Sequence, residues 1–112
     1  MHSTTTIDGS TARIVPHGDI DFTALADLRA SRAALPPEVT TVTWDLHDAA
    51  FMDVAGLHLL TDHLTETGHP HRTAAVTGLT AQPDRLLRLA SDLFPAMGFD
   101  QLLPGAPLDQ AA

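Results

Sequence analysis

The stretch Val39–Leu57, VTTVTWDLHDAAFMDVAGL, decides the fold of this chain. Its first part is β-branched and mostly apolar, which is typical of a strand that lies inside a sheet. Asp53 then stands where the N-cap of a helix belongs, and leucines recur on one helical face until Gly68 ends the pattern. We therefore predict a central strand over Val39–Leu46, followed by a helix.

Two strands and a helix are predicted before this stretch. Thr4–Asp8 and Thr11–His17 are short β-branched segments separated by Gly9–Ser10, a pattern that predicts a hairpin. Asp21 is a good N-cap, and the leucines that follow it recur at helical spacing until Pro36–Pro37 stops the run. The chain therefore begins with two strands and a first helix.

The part of the chain that follows alternates in the same way. Thr73–Leu79 predicts a strand, Gln82–Phe94 a helix and Phe99–Leu103 a last short strand, while Pro and Gly in 104–112 predict a flexible tail. Strands that alternate with helices favour parallel pairing, and the initial hairpin makes the sheet mixed. We expect a single α/β domain over 1–112, with a mixed, mostly parallel sheet of four to five strands and three to four helices.

Composition argues against several classes of function. Fourteen acidic and six basic residues give a formal charge of −8, so the phosphate backbone of a nucleic acid would be repelled, whereas a basic protein partner would be attracted. The absence of cysteine excludes disulfides, zinc–thiolate sites and cysteine nucleophiles. We see neither a leader sequence nor the roughly 20 apolar residues of a membrane span. We therefore expect a cytoplasmic protein with no membrane association.

Two segments lie where a strand gives way to a helix, the edge at which α/β sheets collect ligand and partner sites. They are Gly18–Asp21, GDID, and Phe51–Leu57, FMDVAGL. With the order of strands and helices, these segments resemble the STAS domain of bacterial anti-sigma factor antagonists. The signature of that family resembles F-M-D-S-S-G-L, and five of its seven positions agree here. The family also has a G-x-hydrophobic-D segment before its first helix, and Gly18–Asp21 matches it.

The resemblance implies a function and also a departure from it. Antagonists of this family bind an anti-sigma factor that is a histidine-kinase-like ATPase, and phosphorylation of one of two adjacent hydroxyl residues ends the partnership. Val54 and Ala55 stand at those two positions, and no Ser, Thr or Tyr occurs from 44 to 60. We therefore predict a regulatory module that docks on an anti-sigma factor or related regulatory protein, with a degenerate phosphosite and no Ser/Thr switch. The expected partner-binding residues are Asp19, Asp21, Asp53, Val54, Ala55 and Gly56.

Simpler interpretations of the same residues stay open. Asp21 and Asp53 also suit helix N-caps, and Gly56 could serve only to let its helix pack closely on the sheet. The missing hydroxyls are equally compatible with a STAS scaffold component or a small-ligand sensor that has no role with a sigma factor.

The sequence does not predict catalysis. A small metal-dependent enzyme would use the clustered histidines, but His58 and His63 are five residues apart, about 140° around a helix, and His69 and His71 come with no marked third ligand. No nucleophile beside a base, glycine-rich phosphate loop or carboxylate pair is convincing in the sequence. We therefore predict no enzyme activity, no metal and no cofactor.

Overall fold

Four strands form one mixed sheet in the order β1-β2-β3-β4. The computed structural model describes residues 2–62 and 72–102. The strands are β1 (His2–Asp8), β2 (Thr11–His17), β3 (Thr41–Asp45) and β4 (Thr73–Thr77). The α-helices in the described ranges are α1 (Phe22–Ala33), α2 (Val54–Thr61) and α3 (Ala81–Leu93), and 3₁₀ helices cover Pro95–Met97 and Phe99–Leu102.

The strand pairing confirms the predicted mixed sheet. β1 and β2 run antiparallel, from the pair His2 and His17 to the pair Asp8 and Thr11, and Gly9 takes a positive φ of 61° in the turn between them. β2 pairs with β3, and β3 with β4, in parallel register. Strand β3 therefore lies inside the sheet, as its β-branched, apolar sequence predicts.

The hydrophobic core follows from the alternation of side chains along the strands. Ala12 and Ile14 of β2 and Val42 and Trp44 of β3 are buried, whereas the residues between them are exposed or half-buried. Apolar residues of all three helices join these side chains in one cluster, among them Leu28, Leu60 and Leu87. The three helices and the sheet thus share one core, and this packing holds each helix in position against the sheet.

Arg72, directly before β4, forms hydrogen bonds to the end of α1 and to the segment that follows it. Its guanidinium donates to four backbone carbonyls at 3.0–3.3 Å. These carbonyls belong to Arg32, Leu35, Pro36 and Val39. One of them, Arg32, lies in the last turn of α1 and the other three lie in the connection from α1 to β3, so Arg72 provides hydrogen bonds for carbonyls that are outside the helix and the sheet or at their ends.

The predicted last strand at Phe99–Leu103 is wrong over its described residues, because Phe99–Leu102 is a 3₁₀ helix. Phe99 and Leu102 are both buried, and in a 3₁₀ helix residues three apart lie on one face. Gly98, with a φ of 78°, reverses the chain just before them. Helix α2 is described to Thr61, so its predicted end at Gly68 lies outside the described residues, as does the predicted tail at 104–112.

Candidate functional site

The segments before α1 and α2 are held side by side by backbone hydrogen bonds. Ile20 and Met52 form a parallel β-bridge, in which the Ile20 amide donates to the Phe51 carbonyl at 2.9 Å and the Asp53 amide to the Ile20 carbonyl at 3.1 Å. The Gly18 amide also donates to the Asp48 carbonyl at 3.2 Å. Pairing therefore continues past the ends of β2 and β3, and the two segments make one continuous edge.

Gln82 of α3 completes this edge from the other side. Its Oε1 accepts from the Met52 amide at 2.8 Å, and its Nε2 donates to the Met52 carbonyl at 2.9 Å. A side-chain amide that binds both the backbone N–H and the backbone C=O of one residue makes the same pair of hydrogen bonds as a neighbouring strand would. Thr80 adds a hydrogen bond from its hydroxyl to the Ala49 carbonyl at 2.7 Å. Three helix starts are thus joined at one place.

Asp21 and Asp53 cap the two helices, which confirms that part of their expected role. Oδ1 of Asp21 accepts from the Ala24 amide at 3.0 Å, and Oδ1 of Asp53 accepts from the Ala55 amide at 2.8 Å. The Thr23 hydroxyl also donates to Asp21 at 2.6 Å. The hydrogen bond from Thr23, and then that from Ala24, hold the pKa of Asp21 below its usual value. Asp21 therefore stays ionised at neutral pH.

Gly56 allows the close approach of α2 to the edge. It is buried, and a Cβ at this position would overlap Met52 Cγ and lie 2.5 Å from Met52 Sδ and 3.3 Å from Ile20 Cγ2. The structure thus supports the packing interpretation of Gly56. Because the residue is buried, its effect on a partner would come through the position of its neighbours.

A groove of about 560 Å³ runs between the first turns of α1 and α2. Its rim is apolar and exposed, since Phe22 is 78 % and Val54 61 % accessible. Its lining residues are Phe22, Leu25, Arg29, Asp53, Val54, Ala55 and His58. We call this surface, together with the exposed Phe51 beside it, the junction surface.

An ion pair ties the two helices together beside the groove. Arg29 donates to Asp62 through Nε at 2.8 Å and through Nη2 at 2.9 Å. This two-point contact raises the pKa of Arg29 above its usual value. Arg29 therefore brings a fixed cation to a groove that also contains the carboxylate of Asp53.

The structure brings most of the predicted site residues to this one edge. Val54 is exposed, Ala55 and Asp53 are half-buried, and Asp19 is exposed on the neighbouring segment. Several residues of the same site were not predicted from the sequence, namely Phe22, Arg29, His58 and Gln82. The position of Phe22 directly after the N-cap Asp21 was visible in the sequence, but its exposure depends on how α1 packs on the sheet.

Two predicted absences concern metals and membranes. In residues 2–62 and 72–102, no three His, Asp or Glu side chains gather as metal ligands would. The histidines at 63, 69 and 71 lie outside these ranges. In the same part of the chain, no helix combines the length and the apolar composition needed to cross a bilayer.

Comparison with known proteins defines the class of fold. No protein-family model matches the chain, and no curated protein matches its sequence. Among solved structures it is similar to an anti-sigma factor antagonist, so the chain has a STAS-like α/β fold. That antagonist is SpoIIAA in its unphosphorylated form, with a TM-score of 0.67 at 20 % sequence identity over 84 % of each chain.

Proposed function

We propose that this chain is a protein-binding regulatory module that docks through the junction surface on an anti-sigma factor or related histidine-kinase-like ATPase. The observation that carries the proposal is the exposed apolar rim of the groove, where Phe22 and Val54 are 78 % and 61 % accessible, together with Phe51, which is 45 % accessible on the same segment as Val54. Large apolar side chains grouped at one place on a protein surface are typical of interaction sites. The STAS-like fold supports the same assignment.

Charge sets the kind of partner. The net charge of −8 and the carboxylates of Asp19, Asp21 and Asp53 beside the apolar rim favour a partner whose own contact surface is basic around an apolar centre. Such complementarity speeds association and disfavours acidic competitors. We therefore expect binding to weaken as the salt concentration rises.

The proposed module has no phosphorylation switch at the start of α2. The first residue of the helix is Val54 and the second Ala55, so no hydroxyl is available where a phosphoryl group would meet the free amides of the first turn. Thr23, in the first turn of α1, has a hydroxyl, and this hydroxyl donates to Asp21. The module would then remain competent to bind its partner at all times.

Affinity purification from the native cells tests this proposal. Tagged wild-type protein, Val54→Asp and Leu93→Asp would be compared by mass spectrometry of co-purifying proteins. Val54 and Leu93 are both 61 % accessible, but Leu93 lies at the far end of α3, near the exposed Leu89 and Phe94, so it is a matched control for an apolar surface away from the groove. A carboxylate at the start of α2 suits the helix dipole, so the fold should be kept.

We expect a histidine-kinase-like ATPase with the wild type and the control, and at least about fivefold less with Val54→Asp, because burying an unpaired carboxylate costs about 1 kcal/mol or more. Equal recovery with Val54→Asp would contradict docking at the junction surface. A phosphoryl group located by fragmentation on Thr23, or on a residue from 44 to 60, would contradict the absence of a switch.

A small-ligand sensor is the second candidate, and the groove is the observation that favours it. Its volume of about 560 Å³ lies in the usual range for small-molecule sites, roughly 300–1,000 Å³. Arg29 and Asp53 would provide polar recognition within it. A metabolite that raises the melting temperature of the wild type and has no effect on Val54→Asp would support sensing. A STAS scaffold component, with the two aspartates serving only as caps, is the interpretation left if neither partner nor ligand binds.

A further inference from the structure

Three polar side chains form a hydrogen-bonded relay at the other end of the β1–β2 pairing from the Gly9 turn. Thr4 Oγ1 lies 2.8 Å from His17 Nε2, and His17 Nδ1 lies 2.6 Å from Asp48 Oδ2. The register explains the first contact, because Thr4 pairs with Val15, and His17 is the diagonal neighbour on the same face. The second contact follows from the loop after β3, where the Asp48 carbonyl accepts from Gly18, the residue next to His17.

The direction of the protons follows from the chemistry of the groups. A carboxylate only accepts hydrogen bonds, so His17 Nδ1 carries a proton toward Asp48. In the neutral imidazole Nε2 then has a lone pair, and the Thr4 hydroxyl donates to it. A hydroxyl beside a base that is itself oriented by a third group is the arrangement of an activated nucleophile. The side chains of His17 and Asp48 are 30 % and 55 % accessible, so a reagent can reach them.

We propose that Thr4, His17 and Asp48 form a self-acylating centre, in which the Thr4 hydroxyl accepts an acyl group from small activated esters or thioesters. Thr4 Oγ1 attacks the carbonyl carbon while its proton passes to His17 Nε2. The bond to the leaving alkoxide or thiolate then breaks, and His17 returns the proton to that leaving group. The products are acyl-Thr4 and an alcohol or thiol, and Asp48 acts as a positioning residue.

The surroundings determine the class of acyl donor. β1 is the edge strand of the described sheet, and an edge strand presents alternate backbone N–H groups with no ladder partner. Such groups can stabilise the negative charge that develops on the carbonyl oxygen. Thr4 is exposed on this edge, so the centre offers little binding for a large substrate and selects donors with a good leaving group. This inference is independent of docking at the junction surface.

Incubation of the full chain with p-nitrophenyl acetate tests the proposal, with peptide mapping to locate the acetyl group and nitrophenolate release to give the rate. Acetylation of Thr4 is expected to exceed that of Thr6, the matched exposed threonine on the same strand, by about 100-fold, the lower end of general-base contributions. Thr4→Val should abolish the rapid phase, and Thr4→Ser should keep it. His17→Gln should lower the rate by about 100-fold.

Three further variants separate the chemistry from structural effects. Asp48→Asn should lower the rate, whereas Asp48→Glu should restore part of it, a rescue that a merely structural role would not produce. His2 stacks on His17 with ring centroids 5.1 Å apart, so His2→Ala shows whether the second imidazole reacts instead. Equal acetylation of Thr4 and Thr6 in the wild type would overturn the proposal without reliance on any variant. A rapid phase that survives Thr4→Val, or that disappears with His2→Ala while the His17–Asp48 pair is intact, would overturn it as well.

Discussion

Gly56→Ala tests how closely α2 must approach the edge that positions the junction surface. The new methyl group would overlap Met52 Cγ, and its next neighbours are Met52 Sδ at 2.5 Å and Ile20 Cγ2 at 3.3 Å. Both Met52 and Ile20 are fully buried, so neither side chain can turn out into solvent without leaving the core. Either Met52 repacks or α2 moves away from the sheet.

The magnitude follows from two opposing effects. Overpacking a core costs about 1–3 kcal/mol, and the upper half of this range applies here because the methyl group meets the middle of one fully buried side chain and crowds a second. Alanine in place of glycine in a helix contributes up to about 1 kcal/mol in the other direction. We expect a net loss of about 1–2 kcal/mol in the free energy of unfolding. For a domain of this size that corresponds to a melting temperature lower by about 5–10 °C.

Thermal and denaturant unfolding measure this change, and a double-mutant cycle with Met52→Ala assigns its cause. Met52→Ala alone should cost about 2–5 kcal/mol through the cavity it leaves. In that background Gly56→Ala should be neutral or stabilising, because the clash is gone. An alanine at position 56 that is as stable as glycine in the parent chain would refute the close-approach argument.

Two further perturbations test contacts near this edge, and a third tests Arg72 at the opposite end of the sheet. Gln82→Leu leaves the amide and carbonyl of Met52 unpaired and should cost about 2 kcal/mol or more by denaturant unfolding. Gln82→Glu should also lose stability, because its carboxylate keeps the acceptor for the Met52 amide but places a second oxygen against the Met52 carbonyl; an unchanged midpoint in both variants would contradict the role of Gln82. Burial opposes ionisation of Asp45, but hydrogen bonds from His47 outweigh this effect and lower the pKa of Asp45. The ionised carboxylate therefore stabilises the fold at pH values above its ordinary pKa of 3.8. This contribution is lost as the pH falls through the lower pKa of the folded state. The stability difference between wild type and Asp45→Asn, measured by thermal melts from neutral pH to pH 2, should therefore shrink only below about pH 4; a difference independent of pH would contradict this. Arg72→Lys should lower the free energy of unfolding by about 1–2 kcal/mol in denaturant unfolding, because an ammonium group cannot donate to four carbonyls as the planar guanidinium does. An unchanged midpoint would mean that these hydrogen bonds add no stability.

The sequence predicted those parts of the structure that depend on local periodicity. β-branched runs gave the strands, and the hairpin turn coincided with a glycine at positive φ. Asp21 and Asp53 were recognisable as caps because an N-cap needs only a short acceptor side chain before an apolar run. The location of both predicted segments at one edge followed from parallel pairing, which brings the carboxyl ends of adjacent strands together.

What the sequence could not predict depends on contacts across long separations. Gln82 was visible only as the start of a helix, and nothing near it in sequence indicates that its amide binds Met52. The relay of Thr4 and His17 required the hairpin register, and its third member required the position of the loop after β3. The error at Phe99 had a different origin, because a short apolar segment fits either a strand or a 3₁₀ turn until the three-residue spacing of its buried positions is known.

The pairing of the Met52 segment on both sides also determines when the edge is complete. Its backbone is paired with the segment at Ile20 and with Gln82, which lies 30 residues further along the chain. The edge is therefore complete only after all three strand–helix units have formed. A chain still emerging from the ribosome, or one that has lost α3, would keep the Ile20–Met52 bridge but leave the amide and carbonyl of Met52 without their hydrogen bonds to Gln82, so one side of the edge would stay unpaired.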